Sequence, residues 1–134
     1  MSPVIVGATI RVIDLLSRTT ERRDKLEANT KHFRQEITKA GLNVREGETP
    51  IVPVMLYNAK LANDMARDMY AEGIYVIGFF FPVVPAGQAR IRVQLSAAHE
   101  IEHIDKCVAA FKKVGEKHGI LGLDKQGIVE KYGL

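Results

Sequence analysis

The stretch from Ile74 to Ala97 leaves few folds open. "IYVIGFFF", Ile74–Phe81, is a continuous apolar run rich in β-branched and aromatic residues, the mark of a buried strand. "PVVPAG" then makes a turn, because proline lacks the amide hydrogen a ladder needs and fixes its own φ. From Ala89, "ARIRVQLSA" alternates, with Arg90 and Arg92 on one face and Ile91 and Val93 on the other, directed into a core. Two strands joined by so short a turn form a hairpin, and any fold must be built around it.

Helical signals surround the hairpin. Pro3 suits a first turn, and Val6, Ile10, Ile13 and Leu15 or Leu16 repeat at helical spacing through residue 17. A second helix is expected from about Thr20 to Ala40, with Leu26, Thr30, Phe33 and Ile37 as its one apolar stripe and Gly41 as its stop. Ile51–Tyr57 is a strand, and Pro53 within it predicts an edge position or a bulge. Asn58 can cap a helix buried through Leu61, Met65 and Met69 and ended by Gly73. The last long helix is expected from about Glu100 to His118, with Ile101, Ile104, Val108 and Phe111 inward. Leu121–Leu134 is a short terminal helix or an ordered arm. The expected fold is therefore one α+β domain, a small mixed or antiparallel sheet covered by helices.

Bulk properties narrow the function classes. With 134 residues the chain has the size of one domain with one core, and it shows no repeat or linker. Its net charge of +3 is spread among 16 acids, with no basic tract and no aromatic–basic alternation, which argues against nucleic acid as a partner. The longest apolar run, Ile74–Gly87, is short of the roughly 20 residues of a membrane helix and contains two prolines. The amino terminus, interrupted by Arg11 and Asp14, does not read as a secretory signal. The single cysteine, Cys107, cannot form an internal disulfide, which makes a reducing cytoplasm the natural setting. It reads as a small buried helix residue.

"HEIEH", His99–His103, matches the H-E-x-x-H pattern of zinc peptidases, in which two histidines one turn apart bind metal and the glutamate activates water. A catalytic zinc needs three protein ligands, however, and the pattern supplies two. Lys106 stands where the extended pattern wants glycine, and nothing marks Glu116, His118 or Glu130 as a third ligand. Both histidines also lie off the centre of the expected apolar stripe. The segment reads instead as a helix start, with Glu100 and Glu102 at the positive end of the dipole. No metal is expected.

A more specific signal is "EGIYVIGFFFPVVPAGQARIRVQLSAAHEIEHIDKCVAAFKKVG", preceded by "TPIVPVMLYNAKLANDMARDMYAEG" and "PVIVGATIRVIDLL". These words resemble the C-terminal part of the α-oxoamine synthases, pyridoxal-phosphate enzymes that condense an amino acid with an acyl-CoA. The resemblance runs from Pro3 to about Ile120. It implies that residues 1–120 are the small C-terminal domain of a fold-type-I transferase, with 121–134 as its tail or arm. It also implies a homodimer, pyridoxal phosphate as cofactor, and condensation of glycine with acetyl-CoA to 2-amino-3-ketobutyrate and CoA, a step of threonine breakdown. One functional residue carries over: Arg92, the second arginine of "ARIRVQ", which in the family binds the substrate α-carboxylate. A guanidinium fork suits that task because it makes two parallel hydrogen bonds to a carboxylate. Arg90 reads as the wet face of the strand.

Relatives that make 8-amino-7-oxononanoate take a long acyl chain ending in a carboxylate and tend to carry a basic residue before the proline turn. Here Phe79-Phe80-Phe81 offers no charge, which favours a short acyl group. The family's Schiff-base lysine, pyridine-pairing aspartate and ring-stacking histidine belong to an upstream domain. This chain is thus expected to be an inactive piece of a longer enzyme, exposing apolar surface from its first helix and its aromatic strand. A free-standing α+β ligand-binding or dimerisation module is the alternative.

Overall fold

The structure is a computed structural model that describes residues 2–133; Met1 and Leu134, the outer ends of the expected 1–120 domain and 121–134 tail, lie outside the described residues. Eight elements follow in order: α1 (Pro3–Arg18), α2 (Glu21–Lys39), β1 (Ile51–Tyr57), α3 (Ala59–Ala71), β2 (Ile77–Phe79), β3 (Ala89–Gln94), α4 (Ile101–His118) and α5 (Lys125–Tyr132). The three strands form one antiparallel sheet in the order β1-β3-β2. The fold is α+β, and β3 is the central strand of its sheet.

Local chemistry sets most element ends. The Asn58 Oδ1 accepts the Leu61 amide at 2.9 Å and starts α3, while its Nδ2 donates to the carbonyls of Tyr132 and Gly133, tying down the end of α5. Gly119 takes the left-handed conformation that closes α4. Gly41, after α2, has φ +94°, and a Cβ there would lie 2.7 Å from the Gly122 amide nitrogen. No other residue fits that crossing.

Pro53 lies on an edge strand, as expected. Its carbonyl accepts the Arg45 amide at 3.2 Å, and Val44 bridges Val54, so a short segment flanks the outer edge of β1. A residue's amide and carbonyl share one side of a strand, so the hydrogen Pro53 lacks would also have faced that segment. The ladder to β3 stays intact. Of the two expected alternatives the edge position holds at Pro53, which pairs in register with Arg92, while the register shifts further along, between Met55 and Tyr57.

α2, α3 and α4 cover one face of the sheet. Phe33 and Phe111 meet edge to face at 6.4 Å between centroids, amid Ile37, Leu61, Met65 and Ile91. The stripes expected for α2 and α3 hold, with Leu26 only partly buried. In α4 the inward line is Ile104, Phe111 and Val114; of the residues expected inward, Ile101, in the first turn, is 46% exposed and Val108 only partly buried. α5 packs Ile128 into the same core. No helix among the described residues is long and apolar enough to cross a membrane.

Two expectations for buried elements need correction. Of the run Ile74–Phe81 only Ile77–Phe79 pairs, and Ile77, Phe80 and Phe81 are exposed rather than buried. The run forms an edge strand, so only its inner side finds a partner. Likewise β3 ends at Gln94, short of Ala97.

α1 has no buried residue, and Val4, Ile5, Ile10 and Ile13 are each more than half exposed. So large an apolar helix surface drives association. Light scattering on the isolated chain is expected to show dimers or larger species that grow with concentration, and Ile10→Lys with Ile13→Lys is expected to reverse it. A strictly monomeric wild-type chain at high concentration would contradict this.

Candidate functional site

Arg90 and Arg92 share the sheet face opposite the helices, since they lie two apart on β3. Their surroundings differ sharply. Arg90 stands across from Met55 and Phe79, near the proline turn, and is only 7% exposed. Its Nε donates to the Gln88 carbonyl at 3.1 Å and its Nη2 to Gln88 Oε1 at 3.3 Å. The expectation that Arg90 forms a wet face is overturned: the backbone folding over at Gln88 covers it. Burial, and then the positive charges of Arg45 and Arg92, hold the Arg90 pKa below arginine's usual value.

Arg92 is exposed and stands across from Pro53 on one side and Ile77 on the other. Its guanidinium carbon lies 4.3 Å from the centroid of the Phe79 ring. Among the described residues, no side-chain hydrogen bond or ion pair involves it. The sheet face thus presents one locked arginine and one whose N–H groups are open to a ligand.

Beside Arg92 a groove of about 510 Å³ runs between the α3–β2 loop and the start of α4, lined by Tyr75, Ile77, Phe79, Arg92, His99 and His103 among others. Cys107 lines it too, half-buried rather than buried, and burial pushes its thiol up to about 11. It is therefore a protonated, unreactive thiol at neutral pH. No lysine, aspartate or glutamate lines the groove.

The two histidines of "HEIEH" are occupied in capping. The Ser96 amide donates to His99 Nδ1 at 3.1 Å, and the Glu100 amide to His103 Nδ1 at 3.0 Å, with Glu100 as the N-cap of α4. His99 therefore lies outside the helix, and the one-turn spacing a zinc pair needs is absent. Glu100 pairs with Lys25 at 2.6 Å, and that hydrogen bond lowers its pKa. His118, a conceivable third ligand, is bound to Asp68 at the far end of α4, 2.8 Å away. Glu130 instead accepts Gln126 on α5. Among the described residues no group of three His, Cys, Asp or Glu side chains could hold a metal. Elemental analysis of purified chain is expected to find no stoichiometric zinc; about one zinc per chain, lost on His99→Ala, would contradict this.

Gln88, given no role in the sequence, and Phe79, read there only as part of an uncharged acyl-side segment, shape the arginine pair. Their signal is the hairpin register, which depends on where pairing begins.

The chain is thus an α+β domain with a small antiparallel sheet, helices on one face and an arginine pair on the other. The chain belongs to the class I and II aminotransferase family, whose model matches residues 1–111. It is 46% identical to the 2-amino-3-ketobutyrate coenzyme A ligase of Escherichia coli K12 over 90% of this chain and 30% of that enzyme. The mitochondrial 2-amino-3-ketobutyrate coenzyme A ligase of Homo sapiens is 47% identical over 90% of this chain and 29% of its own length. The 8-amino-7-oxononanoate synthase of Thermosipho melanesiensis is 40% identical, over 90% and 31%. The chain thus spans about 30% of the length of these curated relatives.

Among solved structures, a serine palmitoyltransferase from S. paucimobilis with a bound PLP–myriocin aldimine matches with a TM-score of 0.71. It is 26% identical, over 75% of this chain and 26% of that one. An 8-amino-7-oxononanoate synthase from Francisella tularensis shares the fold, with a TM-score of 0.74 at 23% identity over 90% of this chain and 35% of that one.

Proposed function

We propose that this chain is the small C-terminal domain, residues 1–120 with 121–134 as an arm, of a dimeric pyridoxal-phosphate enzyme of the α-oxoamine synthase type. The proposed reaction condenses glycine with acetyl-CoA to 2-amino-3-ketobutyrate and CoA, in the cytoplasm. The observation that carries this reading is Arg92, an exposed guanidinium without an anionic partner among the described residues, in a chain 46% identical to an enzyme named for that product.

Arg92 binds the glycine carboxylate through two parallel N–H donors and so sets the direction of the α-carbon. Arg90, buried beside it, adds positive potential without reaching the ligand. The uncharged Phe79-Phe80-Phe81 segment favours an acyl group with no distal carboxylate.

Pyridoxal phosphate would supply the stabilisation of negative charge on the amino-acid carbon. The groove beside Arg92 does not fit that cofactor alone, since it offers no lysine amine and no carboxylate for the pyridinium. The cofactor therefore belongs to the longer protein, and the isolated chain is inactive.

The test is glycine-dependent release of CoA by the full-length protein and by the isolated chain. Release from acetyl-CoA by the full-length protein alone is expected. Turnover by the isolated chain, or a preference for a long acyl-CoA ending in a carboxylate, would overturn the reading and in the second case favour 8-amino-7-oxononanoate synthesis.

A further inference from the structure

We propose that Phe79 is the positioning residue for Arg92: its ring holds the guanidinium plane so that the N–H edge is presented to a carboxylate before the ligand arrives. The inference rests on the proposed role of Arg92 and adds what makes that arginine selective.

The hairpin register pairs Ile77 with Arg92 and Phe79 with Arg90. Phe79 is therefore the diagonal neighbour of Arg92 on one sheet face, within reach of a long side chain. The 4.3 Å from guanidinium carbon to ring centroid is a stacking distance, and stacking uses the face of the guanidinium, leaving its N–H donors at the rim. Phe79 is itself half-buried, so its neighbours restrict the ring more than solvent would. Arg90 shares this face but is locked to Gln88, so its own donors are not available to the same ligand. Arg90 spends its donors on Gln88, whereas among the described residues no side-chain hydrogen bond or ion pair involves Arg92, whose donors stay open. An exposed arginine that is pinned without being neutralised is prepared for an anion. Held in one orientation, it loses less freedom when it binds than a loose side chain would.

The experiment has two arms. In the full-length enzyme, Phe79→Leu is expected to raise the glycine KM about 3- to 30-fold, the range of a cation–π contact, with kcat and cofactor absorbance little changed. Phe79→Tyr, which keeps the ring, is expected to restore the low KM. In the isolated chain, the NMR signal of the Arg92 Nε–H, assigned by its loss in Arg92→Lys, is expected to move in Phe79→Leu and to stay in place in Phe79→Tyr. Phe79→Met serves both arms if the leucine variant is poorly folded. If Arg92→Ala leaves glycine binding unchanged, the carboxylate reading itself fails. If Arg92→Ala weakens glycine binding while neither Phe79→Leu nor Phe79→Met does, Phe79 is not a positioning residue and the reading of Arg92 survives. An Arg92 signal indifferent to loss of the ring overturns the inference in the chain alone.

Discussion

Arg92→Ala in the full-length enzyme is expected to lower kcat/KM for glycine by about 30-fold to several-thousandfold while the cofactor absorbance stays in place. Truncating one side of a charge-assisted carboxylate pair costs on the order of 2–5 kcal/mol, and each 1.4 kcal/mol is about tenfold in rate or affinity. The lower end applies if water takes over the carboxylate, the upper end if the site is closed to solvent. Arg90→Ala is the matched control, because the two side chains share a face but not an environment. Arg90 is nearly buried, and its loss leaves the Gln88 carbonyl and side-chain oxygen without their donor. That change is expected to destabilise the domain by about 1–3 kcal/mol, read as a lower Tm, with a smaller effect on glycine KM than Arg92→Ala has. Normal glycine binding by Arg92→Ala, or a larger KM change in Arg90→Ala, would place the carboxylate elsewhere.

Phe111→Ala is expected to lower the unfolding free energy of the chain by about 3–5 kcal/mol, a large part of the roughly 5–15 kcal/mol a domain has. Phe111 is fully buried where α2, α4 and the sheet converge, and its ring meets Phe33 edge to face. The loss combines apolar transfer, the cavity left behind and about 0.5–1.5 kcal/mol of aromatic pairing. Urea titration followed by circular dichroism measures it. Ile101→Ala, on the same helix but largely exposed, is expected to stay within about 0.5 kcal/mol of wild type. Equal losses at the two positions would mean that α4 buries a different face.

Phe33, Ile37, Leu61, Met65, Met69 and Phe111 were legible as core because helical spacing alone brings them to one side of their helices. Ile101 obeys the same spacing and is nonetheless exposed, because a stripe says which side faces inward and not how far along it packing partners extend. "HEIEH" shows the opposite failure. A five-residue pattern resembles a chemical site, while the hydrogen bonds of Ser96 and Glu100 to the two rings reveal the start of a helix.

By itself the sequence determined the element order, the caps at Asn58 and Gly119, the restriction of Pro53 to an edge or a bulge, and the common face of Arg90 and Arg92. All of these follow from interactions within a few residues of one another: a side-chain cap, a left-handed glycine, a missing amide, a period of two. Only the tertiary structure decided that Ile77–Phe79 alone pairs within its apolar run, that Gln88 buries Arg90, and that the Phe79 ring lies against Arg92. These depend on where the hairpin register starts, and no local pattern carries that information, because a shift of one residue would satisfy the same turn and reverse every side chain. The core selects the register by burying Ile91 and Val93 against the helices. That choice leaves Arg92 on the open face, beside the Phe79 ring.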